Sequence, residues 1–235
     1  MIKKEVEFKV RNETLRGSLF IPQGKGLFPA VIFFHGSGSK RERYLPVAKE
    51  LAKNGIMALA FDFRGCGESD GKFEDQTHEK AIEDAKAGLD FLLSQNVDKR
   101  RIGICGGSFG GYLSAFILPN YDIKSLILRT PAAFSDRFLS SKIKRENEYE
   151  FFKDKKNWED SSVYKNISKF RGPVLVIKAG EDENVPPEVI DEFYQQAEAS
   201  SKRKLVVIKD ADHRLSDPWI NQFYDLTKSW FLKTL

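Results

Sequence analysis

The chain has 235 residues, 41% of them hydrophobic and 31% charged, the balance of a soluble globular protein with room for one sizeable core. Its 38 Lys and Arg against 34 Asp and Glu leave a net charge of +4, with both signs mixed along the chain, so nucleic-acid binding is not indicated. Two cysteines make no disulfide framework, the charged start "MIKKEVEFKV" lacks a signal-peptide core, and no apolar run approaches the roughly 20 residues of a membrane helix; a cytoplasmic protein with no membrane contact is expected.

In chain order, residues 4–11 and 16–21 have strand character, and the link "NET" suits a hairpin. Six continuous apolar runs follow: "PAVIFFHG", "IMALAFDFRG", "RIGICGG", "SLILRTP", "PVLVIKAG" and "KLVVIKD". Such runs fit strands buried on both faces. Helical patterns over 44–54, 77–94, 109–117, 187–199 and 216–233 separate them, the first stopping at Gly55. Strand–helix alternation of this kind implies a mostly parallel sheet with helices on both faces. The whole chain, 1–235, reads as a single domain with no linker.

Residues 135–171 break the rhythm. They carry 7 aromatic, 10 basic and 7 acidic residues. A structureless loop of that length is unusual inside a compact domain, so a small helical cap is expected. The alternative is a solvated insertion of the same composition.

Chemistry is concentrated at "GGSFG", residues 106–110, which fits G-x-S-x-G around Ser108. With 17 glycines in the chain, chance would supply about 0.1 such matches, so the pattern alone is modest. Its setting strengthens it: an apolar strand precedes it and a helix follows, the context of a nucleophile at a tight turn. The plain alternative is a glycine-rich turn with an incidental serine.

A serine hydroxyl needs a base. Of three histidines, His213 in "DADHRL" follows the last strand, at the sheet end where active sites gather. His78 reads as a solvated helix residue, and His35 in "FFHGSG" as a loop residue or, less simply, a second base. The histidines and cysteines are too scattered for a metal site. An orienting carboxylate is offered by "AGEDENVPP" in Glu181, Asp182 or Glu183.

Five stretches in order, "HGSG" at 35–38, "DFRGCGES" at 62–69, "GGSFGG" at 106–111, "DENVP" at 182–186 and "ADH" at 211–213, resemble the α/β-hydrolase superfamily over nearly the whole chain. The likeness is to its small esterases, of the cinnamoyl/feruloyl-esterase and acylaminoacyl-peptidase types. It implies the α/β-hydrolase fold, with eight mostly parallel strands and a small inserted cap. It also implies a triad of Ser108, Asp182 and His213. Asp182 is favoured because relatives read D-x-x-V-P there, whereas counting from Gly180 would select Glu183. The oxyanion donors would be the amides of Ser37 and Phe109. Asp62, Arg64 and Glu68 would tie down a loop beside the site, and Cys66 and Cys105 would be packing residues.

The expected activity is cleavage of a small carboxylic ester, hydroxycinnamoyl or another short acyl, through an acyl-enzyme, with no cofactor and no metal. Thioesterase, amidase, peptidase or acyltransferase chemistry on the same triad is the alternative, as is a non-catalytic binding protein keeping the fold. The partner is a small-molecule ester, and nothing in the sequence speaks to oligomeric state. If the cap folds over the site, its aromatics, Phe138, Phe152 and Trp158 among them, would line the substrate pocket.

Overall fold

The computed structural model describes residues 1–143 and 148–235. Strands β1 (Ile2–Val10) and β2 (Glu13–Ile21) form an antiparallel hairpin in which Val10 lies opposite Glu13. Its turn is therefore Arg11-Asn12, shorter than the "NET" link expected. Thr14 joins the ladder opposite Lys9, and Leu15 next to it is fully buried. Extending β2 satisfies those backbone groups and buries that side chain, at the cost of a positive φ of 55° at Arg11.

The six apolar runs become β3 (Phe28–Phe34), β4 (Met57–Phe61), β5 (Val97–Gly107), β6 (Ser125–Arg129), β7 (Val174–Glu181) and β8 (Arg203–Asp212). All eight strands make one sheet, ordered β1-β2-β4-β3-β5-β6-β7-β8. The hairpin pairs antiparallel with β4 through β2, and every other pairing is parallel. This is the α/β-hydrolase fold.

The strand period of two splits the core into two layers. Ile32 and Phe34 of β3 face one side, Val31 and Phe33 the other, and all four are fully buried. The first side is covered by α2 (His78–Leu93), α3 (Phe109–Ile117), α5 (Ser162–Lys169) and α6 (Pro187–Gln196), through residues such as Leu89, Leu113, Ile167 and Phe193. The second is covered by α1 (Leu45–Lys53) and α7 (Trp219–Thr234), through Val47, Leu51, Phe223 and Phe231. Each such side chain contributes about 1.5–3 kcal/mol when fully buried, so a β3 register slip of one residue would be costly.

Segment 135–171 holds α4 (Glu148–Lys153) and α5. Helix α5 sits within the helical layer. Asn166 donates to the carbonyls of Ala115 (3.2 Å) and Phe116 (3.3 Å) at the end of α3, and the Tyr164 hydroxyl donates to Val189 O of α6 (3.3 Å). The first part of the segment is tied to the start of α2: Glu79 N donates to Leu139 O (2.9 Å), and Ile143 N to Gln76 O (2.9 Å).

His78, expected in solvent, is 4% exposed. Its ring packs against Phe134 (4.7 Å between centroids), Phe109 (5.5 Å) and Tyr112 (5.9 Å), and burial lowers its pKa. The charged neighbours in "EDQTHEKA" concealed this, because the covering residues come from a distant part of the chain.

Candidate active site

In the sheet order β4-β3-β5-β6, chain progression runs outward in opposite directions from the β3/β5 pair. That reversal opens a crevice at the carboxyl ends of the strands. Ser37 follows β3, Ser108 follows β5, Asp182 follows β7 and His213 follows β8, so all four stand at that edge.

Ser108 has φ 53° and ψ −119°, a strained conformation for a residue with a Cβ. Its surroundings over-determine it. Ser108 N donates to Arg129 O (2.9 Å), while Ser108 O accepts from Gly111 N (2.8 Å), Tyr112 N (3.2 Å) and Ala132 N (3.2 Å). The flanking glycines are needed for close approach. A Cβ on Gly106 would lie 2.2 Å from Gly110 O, and one on Gly110 would lie 2.1 Å from Phe34 O. The "GGSFGG" stretch thus places α3 directly against β3 and β5 and leaves the serine at the top of the turn. Phe109 is the first residue of α3, and its amide belongs to the helix turn whose N–H groups no intrahelical carbonyl reaches.

His213 Nδ1 lies 2.8 Å from Asp182 Oδ1 and 2.9 Å from Oδ2. Asp182 Oδ1 also accepts from Asn184 N (3.0 Å) and Val185 N (2.8 Å), which fixes the carboxylate. Both side chains are largely out of solvent, at 3% for Asp182 and 9% for His213. Glu183 instead accepts from the His213 backbone N–H at 3.4 Å. The imidazole partner in this structure is therefore Asp182, and the register counted from Gly180 does not reach the ring.

His35 is placed differently. Its Nε2 accepts from Phe63 N (3.1 Å), which requires Nδ1 to carry the proton donated to Gly36 O (2.8 Å). Burial lowers its pKa, and both ring nitrogens are engaged, so it has no lone pair for proton abstraction. It anchors the loop that carries Ser37. The next loop is pinned by buried ion pairs. Asp62 binds Arg41, which also binds Glu68, and Arg64 binds Asp84 (2.6 Å), Glu83 (3.0 Å) and Glu13 (3.2 Å). Burial raises the Cys105 thiol to about 12, which makes it inert at neutral pH.

Ser37, Ser108 and His213 line one cleft of about 550 Å³ together with Arg129, Asn184 and Arg214. Among the described hydrogen bonds none joins Ser108 Oγ to His213, as is common without substrate. The described lining of this cleft does not include Phe138, Phe152 or Trp158. Phe152 and Trp158 are 3% and 6% exposed within the core layer, where Trp158 Nε1 donates to Phe152 O (2.8 Å), and half-buried Phe138 packs on Phe151 (5.2 Å). The aromatics of the segment find their burial beneath the helices and against one another.

The profile of the serine aminopeptidase S33 family (Hydrolase_4) matches residues 28–147, just over half of the chain. The chain belongs to this family of α/β-hydrolases. Among solved structures, this hydrolase is similar to Est1E from Butyrivibrio proteoclasticus, described with ferulic acid bound, at 25% identity and TM-score 0.78, covering 97% of this chain and 98% of that one. It is also similar to the Pyrococcus furiosus esterase Pf2001, at 26% identity and TM-score 0.72, covering 99% and 91%. Among curated proteins, the thiohydrolase aneE of Aspergillus aculeatus is 40% identical over 111 residues, which is 46% of this chain and 34% of that protein. The alignment thus spans about a third of that relative's length.

Arg129 is the residue that the sequence reading of this hydrolase missed. It ends β6, is 4% exposed, and donates from Nη1 to His213 O (2.7 Å) and to Thr130 Oγ1 (3.0 Å). It therefore clamps the backbone of the histidine loop. An arginine closing the otherwise apolar run "SLILRTP" is the signal that could have pointed to it. Among the described residues no helix is long and apolar enough to cross a membrane. No group of three His, Cys, Asp or Glu among them is placed to hold a metal ion.

Proposed function

We propose that the chain is a serine hydrolase of small carboxylic esters. The observation that carries this reading is the bond from His213 Nδ1 to Asp182, beside Ser108 in the same cleft. Asp182 holds the proton on Nδ1, which leaves Nε2 as the basic nitrogen. His213 Nε2 takes the Ser108 proton as Oγ attacks the ester carbonyl. The tetrahedral oxyanion accepts hydrogen bonds from the amides of Ser37 and Phe109. His213 then protonates the leaving alcohol, and the C–O bond breaks to give an acyl-Ser108. Water repeats the sequence and frees the acid. No cofactor takes part in these steps.

The match to aneE favours a second reading, a thioester in place of the oxygen ester. A thiolate leaves without protonation, so the same groups would serve. Rapid mixing with 4-nitrophenyl butyrate and with butyryl thioesters separates the two. The ester reading expects a burst of nitrophenol equal to the enzyme concentration and a higher kcat/KM for oxygen esters of unactivated alcohols than for thioesters. A thioester preference beyond about a hundredfold, the scale of pocket discrimination, would replace it with the second reading. Turnover of neither would overturn both.

A further inference from the structure

The cleft is unusually cationic. Lys40, Arg43, Arg129 and Arg214 line it, against a single carboxylate, that of Glu42. Elsewhere this protein neutralises its buried guanidinium groups: Arg41 pairs with Asp62 and Glu68, and Arg64 with Asp84, Glu83 and Glu13. The cations of the cleft are treated otherwise. Arg129 is held by a carbonyl and a hydroxyl, Arg43 donates from Nη2 to Leu215 O (3.2 Å), and both leave a buried Nε without a partner. Among the described residues no carboxylate forms an ion pair with any of the four. Asp182 and Glu183 are turned to the ring and the backbone N–H of His213, and Asp212, whose charge is felt at Arg43, is bonded to Ser216 N (2.8 Å) and Oγ (2.6 Å).

Partly desolvated positive charge without a directly paired carboxylate is costly, and the cost falls when an anion enters. The Arg43 pKa is lowered by burial and by repulsion from Arg129, which together outweigh the attraction of Asp212. A small apolar ester would leave that charge as it is. An ester carrying a carboxylate would satisfy it, because guanidinium groups bind carboxylates in a planar, two-point fashion.

We propose that this cleft selects esters that carry a free carboxylate, held by Arg43 and Arg214 with Lys40 at the mouth and Arg129 beneath, while the scissile carbonyl meets Ser108. The inference rests on the hydrolase reading of Ser108 and adds the substrate class. When the carboxylate lies on the acyl side, hydrolysis breaks the acyl C–O bond, adds water and releases a dicarboxylate and an alcohol.

The test compares matched pairs, with each kcat/KM divided by the rate of the same ester with imidazole to remove differences in leaving group. 4-Nitrophenyl hemiadipate is set against 4-nitrophenyl methyl adipate, placing the charge on the acyl side. 3-Carboxyphenyl butyrate is set against its methyl ester, placing it on the alcohol side. In at least one pair the anion should be preferred in kcat/KM by about tenfold or more, the scale of a partly buried charge contact. That preference should shrink severalfold in about 0.5 M NaCl, where exposed charges are screened beyond a few ångströms. Lys40 and Arg214 are exposed, so the double variant Lys40→Gln/Arg214→Gln should fold and should lower the preference ratio by about tenfold. Hydrolysis of both members of both pairs at equal rates would overturn the inference alone and leave the hydrolase reading of Ser108 in place. A preference unchanged in the double variant would likewise overturn it. No hydrolysis of any of the four would overturn the ester reading and this inference with it.

Discussion

Ser108→Ala should lower kcat for an aryl ester by about 10⁶ while leaving the thermal unfolding midpoint close to that of the parent. The size follows from the division of labour in the site. In the proposed mechanism, removing the nucleophile leaves only binding and the oxyanion amides, which supply a small residual rate over water. The fold is spared because the elbow is held by backbone atoms of Ser108, its N–H to Arg129 and its carbonyl to Gly111, Tyr112 and Ala132. Alanine keeps all of these and has the same Cβ at φ 53°. A variant retaining more than about a thousandth of the parent kcat would assign the nucleophile elsewhere.

The second large effect separates two adjacent acids. Asp182→Asn should reduce kcat by about 10⁴, because an amide can present N–H to Nδ1 and so favour the wrong imidazole tautomer. Glu183→Gln should change kcat less than about tenfold, since that side chain reaches only the backbone N–H of His213, at 3.4 Å. The comparison is steady-state kcat on one ester with three proteins. The opposite ranking would mean that Glu183 replaces Asp182 on the ring when substrate is bound.

Much of this was written locally in the chain. Strands β3 to β8 are continuous apolar runs with amphipathic helices between them, so these six strands and their parallel sense could be read directly, although β8, at the sheet edge, is only partly buried. The elbow was legible because close backbone approach, of Gly106 to Gly110 within the turn and of Gly110 to Phe34 of β3, demands glycine at both positions. The acid was harder. Three acidic residues in succession differ only in direction, and the turn after β7 that aims Asp182 inward is made by its own bonds to Asn184 N and Val185 N.

What stayed hidden depends on contacts between distant segments. His78 sits in a charged stretch, yet rings from Phe109, Tyr112 and Phe134 bury it. Phe152 and Trp158 are aromatic residues in need of cover, and composition cannot say whether a cleft or a core supplies it. The structure places them in the core. Arg129 looked like the end of a strand, and only the fold brings the His213 carbonyl within 2.7 Å of it, 84 residues away in sequence.

Covalent labelling tests most directly whether Ser108 is an activated nucleophile. The protein would be treated with a fluorophosphonate, digested, and its peptides sequenced by mass spectrometry, with His213→Ala and Asp182→Asn run in parallel. The expected result is one adduct per chain, on Ser108, formed in step with loss of ester turnover. Labelling should slow by about a hundredfold or more in the His213 variant, where no base takes the Oγ proton. An adduct on another residue, or full ester turnover by protein that the probe leaves unmodified, would contradict the account.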